Sequence, residues 1–225
     1  MQVRTKLATR GGRPRKFDEA EALGNMQRQI WTTGLSGISL DGIARSAGLN
    51  RPSLAAAFGD KDAIYTKAAA QYVAMMDARM NEAIGIADLG AALTAVFDAA
   101  IEIYTTDGPD GCFLLCTAPA EALTNPVCRT ILDQAVKAID TLFLRRLALE
   151  QKRKTASPAD LRLLAAQLGA TMHSVSLRAR AGWSPKRLQR LAAGTIRYVV
   201  GEMMGEIRRN EDTDRSGKRR RTHRT

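Results

Sequence analysis

Histidine is almost missing from this chain: there are two in 225 residues. The other soft ligands are three cysteines, Cys112, Cys116 and Cys128. No histidine or acidic cluster completes a tetrahedral metal set around them, and there is no nucleophile–histidine–acid set and no phosphate loop. No enzyme, metal or cofactor is therefore expected. Glycine and proline are modest at 18 and 7 residues, and long runs of valine, isoleucine, threonine and aromatics are absent, which argues against an extended sheet. No apolar stretch approaches a membrane span, and the basic N-terminus lacks the apolar core of a signal peptide. The expectation is a cytoplasmic protein that does not engage a membrane, with its thiols reduced. What remains is a chain dominated by alanine, leucine and arginine, which favours helices.

Acid is missing from both ends. Residues 1–17 carry Arg4, Lys6, Arg10, Arg13, Arg15 and Lys16, and residues 215–225 carry Arg215, Lys218, Arg219, Arg220, Arg221 and Arg224, with no Asp or Glu in either. The net charge is +11, so residues 18–214 sum to −1. The basic character therefore lives in two terminal segments that seek phosphate or simply keep the protein soluble. The division expected is a basic arm over 1–17, a reading head over 18–60, a helical body over 61–209 and a disordered basic tail over 210–225.

Residues 36–61 read as a helix-turn-helix. Asp18 starts a first helix that runs to Thr33 and stops at Gly34. Ser39 caps a short helix through Ala47, Gly48 is the turn, and a second short helix runs from Arg51 or Pro52 to Phe58. Helices this short cannot bury a core alone, and the second is the right size for a major groove. Asp60 caps a long helix to about Ala87, and Asp88 caps another over Leu89–Thr106. The run from Asp107 to Gly111 is a break, followed by the apolar stretch Cys112–Ala118, then Pro119 and a short helix to Leu123. Asn125–Pro126 opens a long helix ending in the charged stretch from Glu150 to Lys154, and the last two helices cover 157–181 and 185–209.

The motifs Gly12-Arg13-Pro14-Arg15, Ser39-Leu40-Asp41-Gly42-Ile43-Ala44-Arg45-Ser46-Ala47-Gly48-Leu49, Ser53-Leu54, Phe58-Gly59 and Lys61-Asp62-Ala63-Ile64 stand in order along this region. In them the chain resembles the TetR family of bacterial transcriptional regulators. The likeness covers about the first quarter of the chain. Gly111-Cys112-Phe113-Leu114 is similar to a segment of some subgroups. The resemblance implies an all-α fold, with a three-helix DNA-binding head and a C-terminal helical domain for ligand binding and dimerisation. It also implies a repressor that leaves a palindromic operator in double-stranded DNA when a small-molecule inducer binds. The other reading is a nonspecific or architectural DNA binder driven by the basic ends.

The candidate DNA contacts are Arg13, Arg15, Ser39, Arg45, Asn50, Arg51, Ser53, Ala55 and Lys61. Arg51 can reach guanine O6 and N7 or a phosphate, while Asn50 and Ser53 are short polar groups for phosphate or a base edge. Lys61 opens a helix, where free N–H groups favour phosphate. Arg45 can meet the backbone or remain solvated, and Ser39 can act only as a cap. Arg13-Pro14-Arg15 resembles a minor-groove arm. Where the family usually carries an aromatic or histidine, this chain has Ala55, Ala56 and Ala57. Alanine can touch a thymine methyl but supplies no hydrogen bond.

For an inducer pocket the candidates are Met76, Phe97, Ile101, Tyr104, Phe113, Met172 and His173, each of which can equally be simple core. Cys112 is a redox or electrophile candidate, because it lies near a helix start where thiolate is favoured, and some family members with cysteine here sense electrophiles; a small buried apolar residue is the alternative. Gly194, Gly201 and Gly205 recur near one face of the last helix. Each costs about 1 kcal/mol relative to alanine, which the close approach of another helix would explain. The expectation is a homodimer through helices 157–181 and 185–209 forming a four-helix bundle, with packing inside one chain as the alternative.

Overall fold

A computed structural model describes residues 17–106, 108–150 and 158–221. They form helices α1 (Glu19–Thr33), α2 (Leu40–Ser46), α3 (Arg51–Phe58), α4 (Lys61–Ile84), α5 (Leu89–Thr106), α6 (Phe113–Glu121), α7 (Pro126–Glu150), α8 (Pro158–Arg180) and α9 (Pro185–Arg221), with no strand among the described residues.

Short polar side chains set where these helices begin. Asp18 accepts from Ala20 N at 2.8 Å, Ser39 from Gly42 N at 3.1 Å, Asn50 from Ser53 N at 2.9 Å, and Asp60 from Ala63 N at 2.8 Å. Asp88 does the same for α5 and Asn125 for α7. Each satisfies an amide that the helix itself leaves unpaired. Gly48, at φ 65°, turns the chain between α2 and α3 in the left-handed region that glycine enters without penalty.

The head closes on Met26, Ile30, Ile43, Leu54, Phe58 and Ile64, all 3% exposed or less. The long α4 belongs to both regions: its first turn packs in the head, and its later turns bury Tyr72, Met76 and Met80 in the body. In the body α5 is central, with α4, α8 and α9 around it. By length and composition α5 could cross a membrane, which amends the expectation that no stretch approaches a span. Here it is a core helix, with Leu93, Val96, Phe97, Ala100, Ile101, Ile103 and Tyr104 buried. The corner between α4 and α5 is tied by Arg146 of α7, 4% exposed, which donates to Ile86 O at 3.2 Å, to Ala87 O at 2.9 Å and to Glu150.

Several boundaries differ from the sequence reading. The stretch from Cys112 to Leu123 is not an apolar segment followed by a short helix; α6 runs through Pro119, the seventh helical residue, which forfeits one ladder bond. The end of α4 falls at Ile84, three residues early, where Gly85 and Ile86 tighten into bonds to Glu82 O and Ala83 O, three residues back. Residues 151–154, read as the end of α7, lie outside the described residues. The last helix extends past Arg209 to Arg221, where a disordered tail from 210 was expected. That segment contains no proline, and arginine and lysine are good helix formers, so nothing in it forces a stop.

Leu161, Leu164, Leu168, Met172 and Val175 of α8 are buried at helical spacing, and so are Leu188, Val199 and Met203 of α9. The opposite face of α8, with Leu163 60% and Leu177 56% exposed, is open. So are the flanks of Gly194, Gly201 and Gly205, where an added Cβ would meet nothing within 4 Å. Packing among the described residues therefore does not account for the three glycines.

Candidate nucleic-acid interface and internal cavity

The head presents α3 with Leu54 and Phe58 turned inward and Arg51, Pro52, Ala55 and Ala56 exposed. Arg51 lies 3.8 Å from Asp41 of α2, both side chains being more than half exposed, so the pair is weak and the guanidinium is free to swing elsewhere at little cost. Ser39 and Asn50 are caps, which occupies their acceptor oxygens. What they retain are donors, an O–H and an N–H₂, and these suit phosphate better than a base edge. Ser53 is half-buried near the start of α3, and Lys61 is the first residue of α4. Arg45 is exposed in the last turn of α2. Arg13 and Arg15 lie outside the described residues.

One basic residue of this region was not among the sequence candidates. Lys67 donates to Ala57 O at 3.2 Å, with its ammonium 5.3 Å from the centre of the Phe58 ring. It supplies a cation at the C-terminal end of α3, where that helix has none of its own. Lys67 lies ten residues from the carbonyl it serves, too far for any helical spacing rule to flag.

The body holds a cavity of about 60 Å³ between α4, α5, α6, α7 and α8. Of the sequence candidates, Met76, Tyr104, Met172 and His173 line it, joined by Tyr72, Met80, Cys112 and Ile139. Phe97, Ile101 and Phe113 do not. Phe97 stacks on Phe143 at 5.8 Å, Ile101 is plain core, and Phe113 joins a cluster with Trp31, Tyr65 and Tyr72. Bulk and apolarity do not separate a cavity wall from the packing behind it.

Cys112 is the residue before α6, near a helix start as expected, but the expected thiolate character is overturned. Burial pushes its thiol up, and neighbouring amides and the phenols of Tyr72 and Tyr104 oppose that only in part. Burial also raises the Tyr72 and Tyr104 phenols, and pushes the partly buried Cys116 up to about 11 against the pull of Arg180. Burial lowers His173 despite the opposing charge of Asp140, so the imidazole is neutral at neutral pH. Among the described residues no group of three or more His, Cys, Asp or Glu is placed to hold a metal ion.

Cavity and head are mechanically close. The Trp31 ring, at the end of α1, meets Tyr72 edge-on at 5.4 Å and Phe113 at 5.7 Å. Arg180 of α8 donates to Trp31 O at 2.9 Å and to Asp110 O at 3.3 Å. The last turn of α1 contains no basic residue, so Arg180 provides the positive charge its C-terminus favours. Beside it, Ser36 N donates to Glu121 of α6 at 3.1 Å, and the Tyr65 and Thr117 hydroxyls are 2.8 Å apart. Gly111, at φ 87°, is required here: a Cβ would come within 2.8 Å of both Cys116 Sγ and Ser176 O.

No protein-family model matches the chain. It is 27% identical over 192 residues to the HTH-type transcriptional repressor ComR of Escherichia coli K12, covering 83% of this chain and 90% of ComR. To the HTH-type transcriptional repressor BdcR of the same organism it is 26% identical over 189 residues, 81% of this chain and 89% of BdcR. Its fold matches that of the TetR family regulator CifR, solved as a cysteine variant with 26-base-pair operator DNA, at a TM-score of 0.74 and 23% identity over 82% of this chain and 98% of CifR. A TetR-family regulator from Streptomyces coelicolor gives a TM-score of 0.70 at 18% identity, over 82% of this chain and 94% of that protein.

Proposed function

We infer that this chain, a member of the TetR family, is a DNA-binding transcriptional repressor that leaves its operator when a small molecule occupies the body. The observation that carries this reading is the exposed α3, whose N-terminal end offers Arg51 and the free donors of Asn50 beside the capped start of α2. Arg51 reads a guanine or a phosphate; Ser39, Asn50, Ser53, Lys61 and Arg45 grip the backbone; Ala55 meets a thymine methyl. Arg13 and Arg15 enter the adjoining minor groove.

Two heads are needed for a palindromic site, and the open faces of α8 and α9 supply the means. Leu163, Leu177, Tyr198 and Met204 are about half or more exposed, and the bare flanks of Gly194, Gly201 and Gly205 let a second helix pair approach closely. A four-helix bundle across a twofold axis covers both.

The switch is a population shift, so the inducer must bind better to the state that cannot span two half-sites. Its site is the cavity, and its route to the head is short. A ligand against Tyr72 acts on Trp31 through their ring contact, while α6 and Arg180 hold the same end of α1 through Glu121 and the Trp31 carbonyl.

The test is a gel shift of the full chain on the DNA flanking its own gene, with excess random-sequence competitor. A discrete complex that survives competitor supports the reading. Binding that vanishes with competitor or modest salt favours a charge-driven, nonspecific binder, the reading to which the hydrogen-bond-free face of Ala55 and Ala56 lends weight.

A further inference from the structure

The cavity wall contains two buried polar atoms that are poorly served. Among the described residues His173 Nε2 has no hydrogen-bond partner, and the Tyr72 hydroxyl, which makes no regular hydrogen bond, has only the Cys112 thiol and the Phe113 backbone beside it. Leaving such a group unpaired costs about 1–3 kcal/mol, so folds rarely keep two together. Both belong to residues that line the same small space, and the rest of its wall is mostly hydrocarbon and sulfur.

Charge narrows what can enter. No lysine or arginine lines the cavity, His173 is held neutral, and the one charged wall residue is Asp77. A carboxylate or phosphate would shed its hydration without meeting a cation, and would face Asp77 as well. An ammonium group would find in the wall only Asp77, which is exposed and therefore screened by water, while Asp140 lies outside the wall and acts on it from beside His173.

We propose that this cavity binds a small uncharged oxygen compound, an alcohol, aldehyde or ketone on a short hydrocarbon frame. This rests on the repressor reading of the body and names the chemical class of its inducer. The Tyr72 hydroxyl donates to the ligand oxygen. His173 Nε2 makes the second polar contact, accepting from an alcohol or donating to a carbonyl according to its tautomer. The volume of about 60 Å³ suits only a few heavy atoms at rest. Met76, Met80 and Met172 are the side chains that yield to something larger, being unbranched and soft. Tyr72 is also the residue whose ring touches Trp31, so the atom that recognises the ligand sits on the side chain nearest the head.

The experiment is methyl NMR of the full chain with ¹³C-labelled methionine, titrated with cyclopentanone, cyclopentanol, cyclopentane, cyclopentanecarboxylate and cyclopentylamine. The expected result is saturable shifts of the Met76, Met80 and Met172 signals by the ketone and the alcohol. The carboxylate and the amine bind at least about tenfold more weakly, and Tyr72→Phe weakens the ketone about tenfold without altering its rank against cyclopentane by more. The proposal is overturned if the carboxylate or the amine binds as well as the ketone, if cyclopentane matches it, if folded Tyr72→Phe binds it undiminished, or if no probe moves the three wall methionines. The ranking on the wild-type chain needs no variant, so a Tyr72→Phe that fails to fold leaves the test intact. A gel shift on the same preparation separates the two readings. Specific DNA binding without probe binding defeats the ligand class alone, and probe binding without specific DNA binding defeats the repressor reading alone.

Discussion

The head and the body are both helical, yet they are tied by bonds of different reach. In the head, Asp18, Ser39, Asn50 and Asp60 each close a helix start two or three residues away. In the body the decisive bonds are long. Arg146 reaches Ile86 across 60 residues, Cys112 N donates to Ser176 across 64, and Arg180 holds the Trp31 carbonyl across 149. Local bonds let the reading unit keep its shape whatever the body does. Distant bonds make the body's shape depend on many segments at once.

That contrast can be broken most severely at Arg146. Arg146→Ala removes a buried charged group that bridges the α4–α5 corner to α7, and takes the donor from the Ile86 and Ala87 carbonyls. Urea denaturation should show a loss of about 3 kcal/mol. Gly111→Ala comes next, at about 2 kcal/mol, because a left-handed backbone and a collision with the Ser176 carbonyl act together; an unchanged melting temperature would contradict the tight seam described here. By comparison, Asn50→Ala in the head should cost about 1 kcal/mol. It should also weaken operator binding, since the start of α3 frays where Arg51 sits; anisotropy titration reads that directly.

Arg180→Ala sharpens the comparison in another way. Its bonds are partly exposed, so stability changes little, but the ratio of DNA affinities with and without inducer should shrink about fivefold. An unaltered ratio would leave the Tyr72–Trp31 ring contact and α6 to carry the signal. The smallest effect is at His173. The folded protein resists a proton that the unfolded chain accepts below about pH 6.5, so the native state is favoured above that value and loses this contribution as pH falls below it. Melting temperatures compared at about pH 7.5 and pH 5.5 should therefore differ less in His173→Gln than in the wild type.

The same difference in reach decided what the sequence disclosed. Ser39, Asn50 and Asp60 sit at fixed offsets from the amides they cap, so helix starts in the head could be read residue by residue. So could Asp88 and Asn125. The buried residues of α8 follow helical period, whereas what covers the open flanks of the three α9 glycines among the described residues is not written in their spacing. Assignments failed where placement depends on a third dimension. Phe97 and Tyr104 share one face of α5, but only Tyr104 reaches the cavity, because Phe143 of α7 covers the other. Cys112 had the right neighbours in sequence for a lowered thiol, but its burial by α4, α5 and α8 is not written in any window around it. Pro119 was taken to separate two segments, yet one missing amide is not enough to stop a helix whose Phe113, Leu114, Thr117 and Ala118 are buried.

The exposed face of α3 has a further consequence for a DNA reader. On the repressor reading, the exposed methyl groups of Ala55 and Ala56 would let the helix backbone come nearer to the bases, but they would discriminate only thymine from the rest. Such a reader accepts many related words and judges them by groove width and by the distance between their halves. A genome then offers it a graded series of sites rather than a single address. Occupancy along that series is governed by how many copies of the protein the cell keeps, so the abundance of the regulator becomes part of its specificity.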